Sequence, residues 1–168
     1  MGLSERRLKI GVMGASSCDA RTAALAEDVG RFIARAGAVL ICGGGAGVME
    51  AASRGASRSG GLVVGILPAE DESKANPYVG IPIVTGMGNA RNAINALTCH
   101  SLIAISGGPG TLSEIALALK VGTPVVGLNT WKFSIDADAG TASGIHRASQ
   151  AVEAVEKSIE LATARVLG

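Results

Sequence analysis

The sequence predicts a doubly wound α/β fold of three layers, with a mainly parallel sheet sandwiched between helices. Two observations carry that expectation. Short apolar, β-branched runs alternate with longer segments of helical period, and glycines cluster where the apolar runs end. Strand, helix and strand in repetition call for parallel strands joined by right-handed crossovers.

The elements follow in chain order. A first strand is expected over 9–14, then a helix over 22–36. Val39-Leu40-Ile41-Cys42 is apolar throughout, the mark of a strand buried on both faces, and it leads into a helix over 48–59. A third strand spans 62–67, and a short one at 83–85 precedes a helix over 90–98. Strand 102–105 precedes helix 112–121, strand 125–128 closes the alternation, and a last helix covers 149–167. Two connections exceed what such units need. The 68–80 segment carries Glu70-Asp71-Glu72, read as a solvated face, and two prolines. The 129–148 segment carries the only tryptophan and reads as a lid, a contact surface or a flexible loop.

A length of 168 residues suits one sizeable core, so residues 1–168 are expected to form a single Rossmann-like domain. Fifteen basic and 14 acidic residues give a net charge of +1, which leaves no electrostatic footprint for nucleic acid or an anionic membrane. With 2% aromatic residues there is also little to stack bases on a nucleic-acid strand. Cys18, Cys42 and Cys99 are odd in number and widely spaced, as expected of reduced thiols in a cytoplasm. The apolar run at the N-terminus ends too soon for a signal segment, and nothing approaches a membrane span. No His, Cys or carboxylate cluster has metal-ligand spacing, so no metal is expected.

In an open parallel sheet, ligands bind beyond the carboxyl ends of the strands. The unusual residues fall there: Gly14-Ala15-Ser16-Ser17, then Gly43-Gly44-Gly45-Ala46-Gly47, then Gly86-Met87-Gly88-Asn89-Ala90-Arg91, then Ser106-Gly107-Gly108-Pro109-Gly110-Thr111. The last is the strongest signal. Glycines let backbone amides crowd around an anion, and a helix expected to open at Thr111 adds its unpaired N–H groups and its dipole. Candidate ligand-binding residues are therefore Gly14, Ser16, Ser17, Gly43, Gly44, Gly45, Gly47, Met87, Arg91, Asn92, Gly107, Gly108, Gly110 and Thr111. No loop reads as a dinucleotide fingerprint after the first strand or as a P-loop. Glu114 stands open between two roles, because Thr111-Leu112-Ser113-Glu114 also reads as a capping box. His100 falls at the amino end of its strand and reads as structural.

At these residues the chain resembles the lysine-decarboxylase-like family, which includes the LOG phosphoribohydrolases and the molybdenum-cofactor carrier proteins. The resemblance covers the chain to about Leu128 and is carried by Gly43-Gly44-Gly45-Ala46-Gly47-Val48-Met49, Gly88-Asn89-Ala90-Arg91-Asn92 and Gly107-Gly108-Pro109-Gly110-Thr111-Leu112-Ser113-Glu114. It implies catalytic roles for Arg91 and Glu114 if the protein is a hydrolase. Asn92 stands where the hydrolases carry Lys, and Ser106 where they carry Pro, which moves the likeness towards the carrier branch. It also implies self-association, as a homodimer or larger homo-oligomer. Decarboxylation is not expected, because Lys9, Lys74, Lys120, Lys132 and Lys157 all lie outside the glycine loops and none is placed to form a Schiff base.

Two functions follow as expectations. One is a carrier that binds molybdenum cofactor or a nucleotide such as AMP, with no cofactor needed for chemistry. The other is an N-glycosidic hydrolase of nucleoside 5'-monophosphates.

Overall fold

Residues 7–131 and 144–168 are described by the computed structural model, so Lys132 and most of the 129–148 loop lie outside the described residues. Seven strands form one sheet: β1 (Lys9–Gly14), β2 (Val39–Cys42), β3 (Val63–Leu67), β4 (Ile81–Val84), β5 (Ser101–Ile105), β6 (Val125–Leu128) and β7 (His146–Ala148). Their order is β4-β3-β2-β1-β5-β6-β7, and every adjacent pair is parallel. The helices are α1 (Ala20–Arg35), α2 (Val48–Arg58), α3 (Asn92–Thr98), α4 (Pro109–Lys120) and α5 (Ala151–Leu167).

Alternation along β1 sorts the two faces of the sheet. Ile10 and Val12 join a cluster with Leu40, Ile103 and Ile105 beneath α1, α2 and α5. Met13 joins Ile41, Leu102 and Ala104 beneath α3 and α4, where Ala96, Ile115 and Ala118 close the other face. Both sides of the central strands are covered, which is why those strands read as unbroken apolar runs.

On the first face α1 and α2 touch at backbone distance. A Cβ on Gly30 would overlap the carbonyl of Ala52, and one on Gly55 would overlap the carbonyl of Glu27. The two glycines form a reciprocal contact that admits no side chain. Arg54 bridges the same helices by donating two hydrogen bonds to Glu27 Oε2, at 3.0 and 2.9 Å. The aliphatic face of α2 is thus used within the chain: Ala51, Ala52 and Ala56 are all buried. Leu97 of α3, 62% exposed, is the large apolar side chain left bare on that helix.

Three sequence expectations shift. β7 pairs with β6 but comprises only His-Arg-Ala, largely exposed, and so has no apolar run to announce it. β4 begins at Ile81 and not at residue 83; it is an edge strand, which tolerates the proline inside it. α4 begins at Pro109, two residues before Thr111, because Pro suits the first helical position and Gly108 serves as N-cap.

Candidate functional site

The strand order reverses at the middle of the sheet. The chain leaves β1 on one side towards β2 and returns to its other side as β5. Loops that follow these two strands run in opposite directions and leave a crevice at their carboxyl ends. A cavity of about 260 Å³ fills that crevice.

Gly14, Ala15 and Ser16 form one wall, and Gly108, Pro109, Gly110 and Thr111 form another. The second wall is the first turn of α4, where the N-cap offers no side chain, so amides of that turn are left for a ligand. Asn89, Arg91 and Asn92 approach from the one-turn 3-10 helix Gly88–Arg91 and the start of α3. Asn92 Nδ2 donates to Ser113 Oγ at 2.8 Å, and Ser113 Oγ donates to the Gly110 carbonyl at 2.7 Å, tying α3 to the glycine turn.

Arg91 and Glu114 make up the floor. Their side chains are 11% and 8% exposed, and Arg91 Nη1 lies 3.4 Å from Glu114 Oε1. Asn95 Nδ2 donates to the same oxygen at 2.8 Å. Glu114 is the sixth residue of α4 and its carboxylate reaches across to α3, so the capping box is refuted. Thr111 lies inside the first turn and leaves the N-cap position to Gly108.

Burial pushes the Glu114 carboxyl up from its ordinary value, opposed by the Asn95 hydrogen bond and by the Arg91 charge. Burial likewise pulls the Arg91 guanidinium down, opposed by Glu114. Among the described residues two buried polar atoms, Arg91 Nε and Asn95 Oδ1, have no hydrogen-bond partner. Unmet hydrogen bonding of this kind is costly and concentrates at sites that serve a ligand. Chemically, the floor offers a cation for an anionic group beside a carboxyl whose raised pKa suits proton exchange.

Eight expected residues meet at the cavity: Gly14, Ser16, Arg91, Asn92, Gly108, Gly110, Thr111 and Glu114. Seven do not line it. Gly43 lies behind Arg91, where a Cβ would overlap the guanidinium. Gly44 and Gly45 turn their carbonyls to Asn76 Nδ2, at 3.3 and 3.0 Å. Gly47 caps α2 at φ 66°, packed against the Ala15 carbonyl with no room for a side chain. Ser17 and Met87 are exposed, and Gly107 faces a neighbouring cavity. Ala15, Met49, Asn89 and Pro109 also line the site, and Asn95 braces it; the first four stand in the motifs singled out in the sequence but not among its candidate residues, and Asn95 stands in none. Asn95 had a signal, a polar residue one helical turn after Arg91 set between Ala93-Ile94 and Ala96-Leu97.

His100 accepts the Lys9 amide on Nδ1 at 3.2 Å, at the amino edge of the sheet, in the structural role expected. Among the described residues no lysine lines the cavity, and no group of His, Cys, Asp or Glu could hold a metal ion. No helix among them is long and apolar enough to cross a membrane.

Fold and site together define a class, the LOG-type, Rossmann-like α/β proteins with glycine loops gathered where the strand order reverses. Within it the chain belongs to the SLOG cluster4 family, whose model matches residues 7–160. The molybdenum cofactor binding protein of Rippkaea orientalis is 40% identical and superposes with a TM-score of 0.83, over 93% of this chain and 99% of that one. The molybdenum cofactor carrier protein of Chlamydomonas reinhardtii is 38% identical, with a TM-score of 0.80 over 94% and 99%. An uncharacterised protein of Archaeoglobus fulgidus is 50% identical over 121 residues, 72% of this chain and 80% of its own length.

Proposed function

We propose that the chain is a carrier that binds a phosphorylated, nucleotide-like ligand, molybdenum cofactor foremost, in the cavity between the β1 and β5 loops. One observation carries the reading. The open first turn of α4 and the Arg91 guanidinium face the same cavity of about 260 Å³, in a chain 40% identical to a molybdenum cofactor binding protein. The phosphate takes the amides of Gly110 and Thr111 and lies at the positive end of the helix, while Arg91 adds a charge-assisted contact. Equilibrium binding of molybdenum cofactor and of AMP tests it. A folded preparation that binds no phosphorylated ligand overturns it.

A second reading rests on Glu114, whose carboxylate lines the cavity beside Arg91 and is no helix cap. In that reading the chain hydrolyses a nucleoside monophosphate. Water attacks the anomeric carbon and gives a proton to Glu114, the C–N bond breaks with its electron pair going to the base, and the proton held by Glu114 passes on to the base nitrogen, so that free adenine departs and the carboxylate is restored. Release of free adenine from AMP, lost in Glu114→Gln, decides for this reading; no release leaves the carrier alone.

The proposal extends to the setting. Three unpaired cysteines suit a reducing cytoplasm. Edge strand β4 presents Ile81, Ile83 and Val84, each roughly two-fifths exposed, to a second copy of the chain. Light scattering that shows only monomers overturns the oligomer.

A further inference from the structure

The only tryptophan of the chain stands in the wall of a second cavity, directly beside the glycine turn. This cavity holds about 270 Å³ and is lined by Ser106, Gly107, Asn129, Thr130 and Trp131. Gly107 faces it while Gly108 faces the phosphate cavity, so adjacent residues of one turn wall the two spaces. The indole reaches that turn: a Cβ on Gly107 would lie 3.1 Å from Trp131 Cη2.

The backbone here is constrained in an unusual way. Ser106 and Asn129 have φ angles of 52° and 53°, and among the described residues they are the non-glycine residues with positive φ. Both belong to this one cavity. Thr130 Oγ1 donates to the Ser106 carbonyl at 2.8 Å and ties the ends of β5 and β6 together. Strain of this kind persists where the surroundings impose it and gathers at ligand sites.

Trp131 is 39% exposed and, among the described residues, belongs to neither core cluster. Among the described residues the rest of the lining is hydroxyl, amide and backbone, with no charged group. Such a wall suits a flat heterocycle, with the indole for its face and neutral donors and acceptors for its edge.

We propose that this cavity receives the flat ring of the ligand, a purine or a pterin, stacked on Trp131, while the phosphate occupies the first turn of α4. The assignment rests on the phosphate-binding reading above. It divides recognition into two parts, with Gly107-Gly108 as the partition between them.

Calorimetry with AMP, a pterin phosphate and ribose 5-phosphate, together with tryptophan emission during the AMP and ribose 5-phosphate titrations, tests the assignment. Trp131 is the single tryptophan, so emission reports on this cavity alone. AMP is expected to bind and change the emission, whereas ribose 5-phosphate, which has no ring, binds more weakly and leaves it unchanged. In Trp131→Ala the affinity for AMP falls about ten-fold or more, with ribose 5-phosphate unaffected, and Trp131→Phe restores most of the loss. AMP that binds with unchanged emission, and equally well to Trp131→Ala, overturns the ring site and leaves the phosphate site standing. No binding of any of the three to the folded chain overturns both.

Discussion

The contact between α1 and α2 and the crevice between β1 and β5 are both built on glycine, to opposite ends. At the helix contact, Gly30 and Gly55 let two backbones meet, and neighbouring side chains are satisfied; Arg54 and Glu27 close over them with two hydrogen bonds. At the crevice, Gly43 makes room for one guanidinium, and the polar atoms around it are left wanting: Arg91 Nε and Asn95 Oδ1 are buried without partners. The first region has completed its interactions within the chain. The second has left some to be completed by something else. The same residue type in the same fold therefore supports stability in one place and, in the proposed carrier reading, recognition in the other.

Alanine distinguishes the two. Gly30→Ala or Gly55→Ala drives a methyl into a backbone carbonyl that cannot step aside, so the helices must separate. A loss of roughly 3 kcal/mol is expected in urea unfolding, with the affinity of the molecules that remain folded unchanged. Gly43→Ala meets only the end of a flexible side chain. It displaces the Arg91 guanidinium, and the expected result is an affinity for AMP about ten-fold weaker while stability changes by under about 1 kcal/mol. If Gly43→Ala unfolds the chain as readily as Gly30→Ala and leaves affinity intact, the contrast fails.

The smallest effect is one of pH. The fold keeps the Glu114 carboxyl above its ordinary value of 4.5, so the folded chain retains that proton longer than the unfolded chain. Glu114 then contributes stability at low pH that is lost as pH rises from 4.5 through its raised value. Glu114→Gln, which keeps an acceptor for Asn95, removes this dependence. Thermal unfolding of the two proteins should coincide less as pH rises towards neutrality, with the wild type falling behind. A parallel pair of curves would place the Glu114 carboxyl in an ordinary environment.

The sequence showed the scaffold better than the site, and particular residues explain why. Val39-Leu40-Ile41-Cys42 could only be a strand covered on both faces, and every helix that alternates with such strands declared itself by period. The end of the sheet at His146-Arg147-Ala148 declared nothing, since its pairing is made by backbone and its side chains are largely exposed. Within the site, the glycine turn and Arg91 could be read because glycine spacing and charge are local. Glu114 was ambiguous for a physical reason: a capping box and a carboxylate that reaches a second helix share one pattern, and the difference lies in whether the helix starts at Thr111 or at Pro109. The Gly43 to Gly47 run was read as ligand contact, but its glycines serve Arg91, Asn76 and the start of α2, partners distant in sequence. Asn95 belongs to the same kind of relation, visible only once α3 lies against α4.

The all-parallel sheet has one further consequence. Because every strand points the same way, all five helices begin at the carboxyl edge, and each directs the positive end of its dipole there. A chain of net charge +1 is therefore far from electrically featureless: it is a polarised body, with an anion-attracting rim set by the direction of its backbone. That polarity survives substitution of any single surface lysine or arginine, because no side chain carries it.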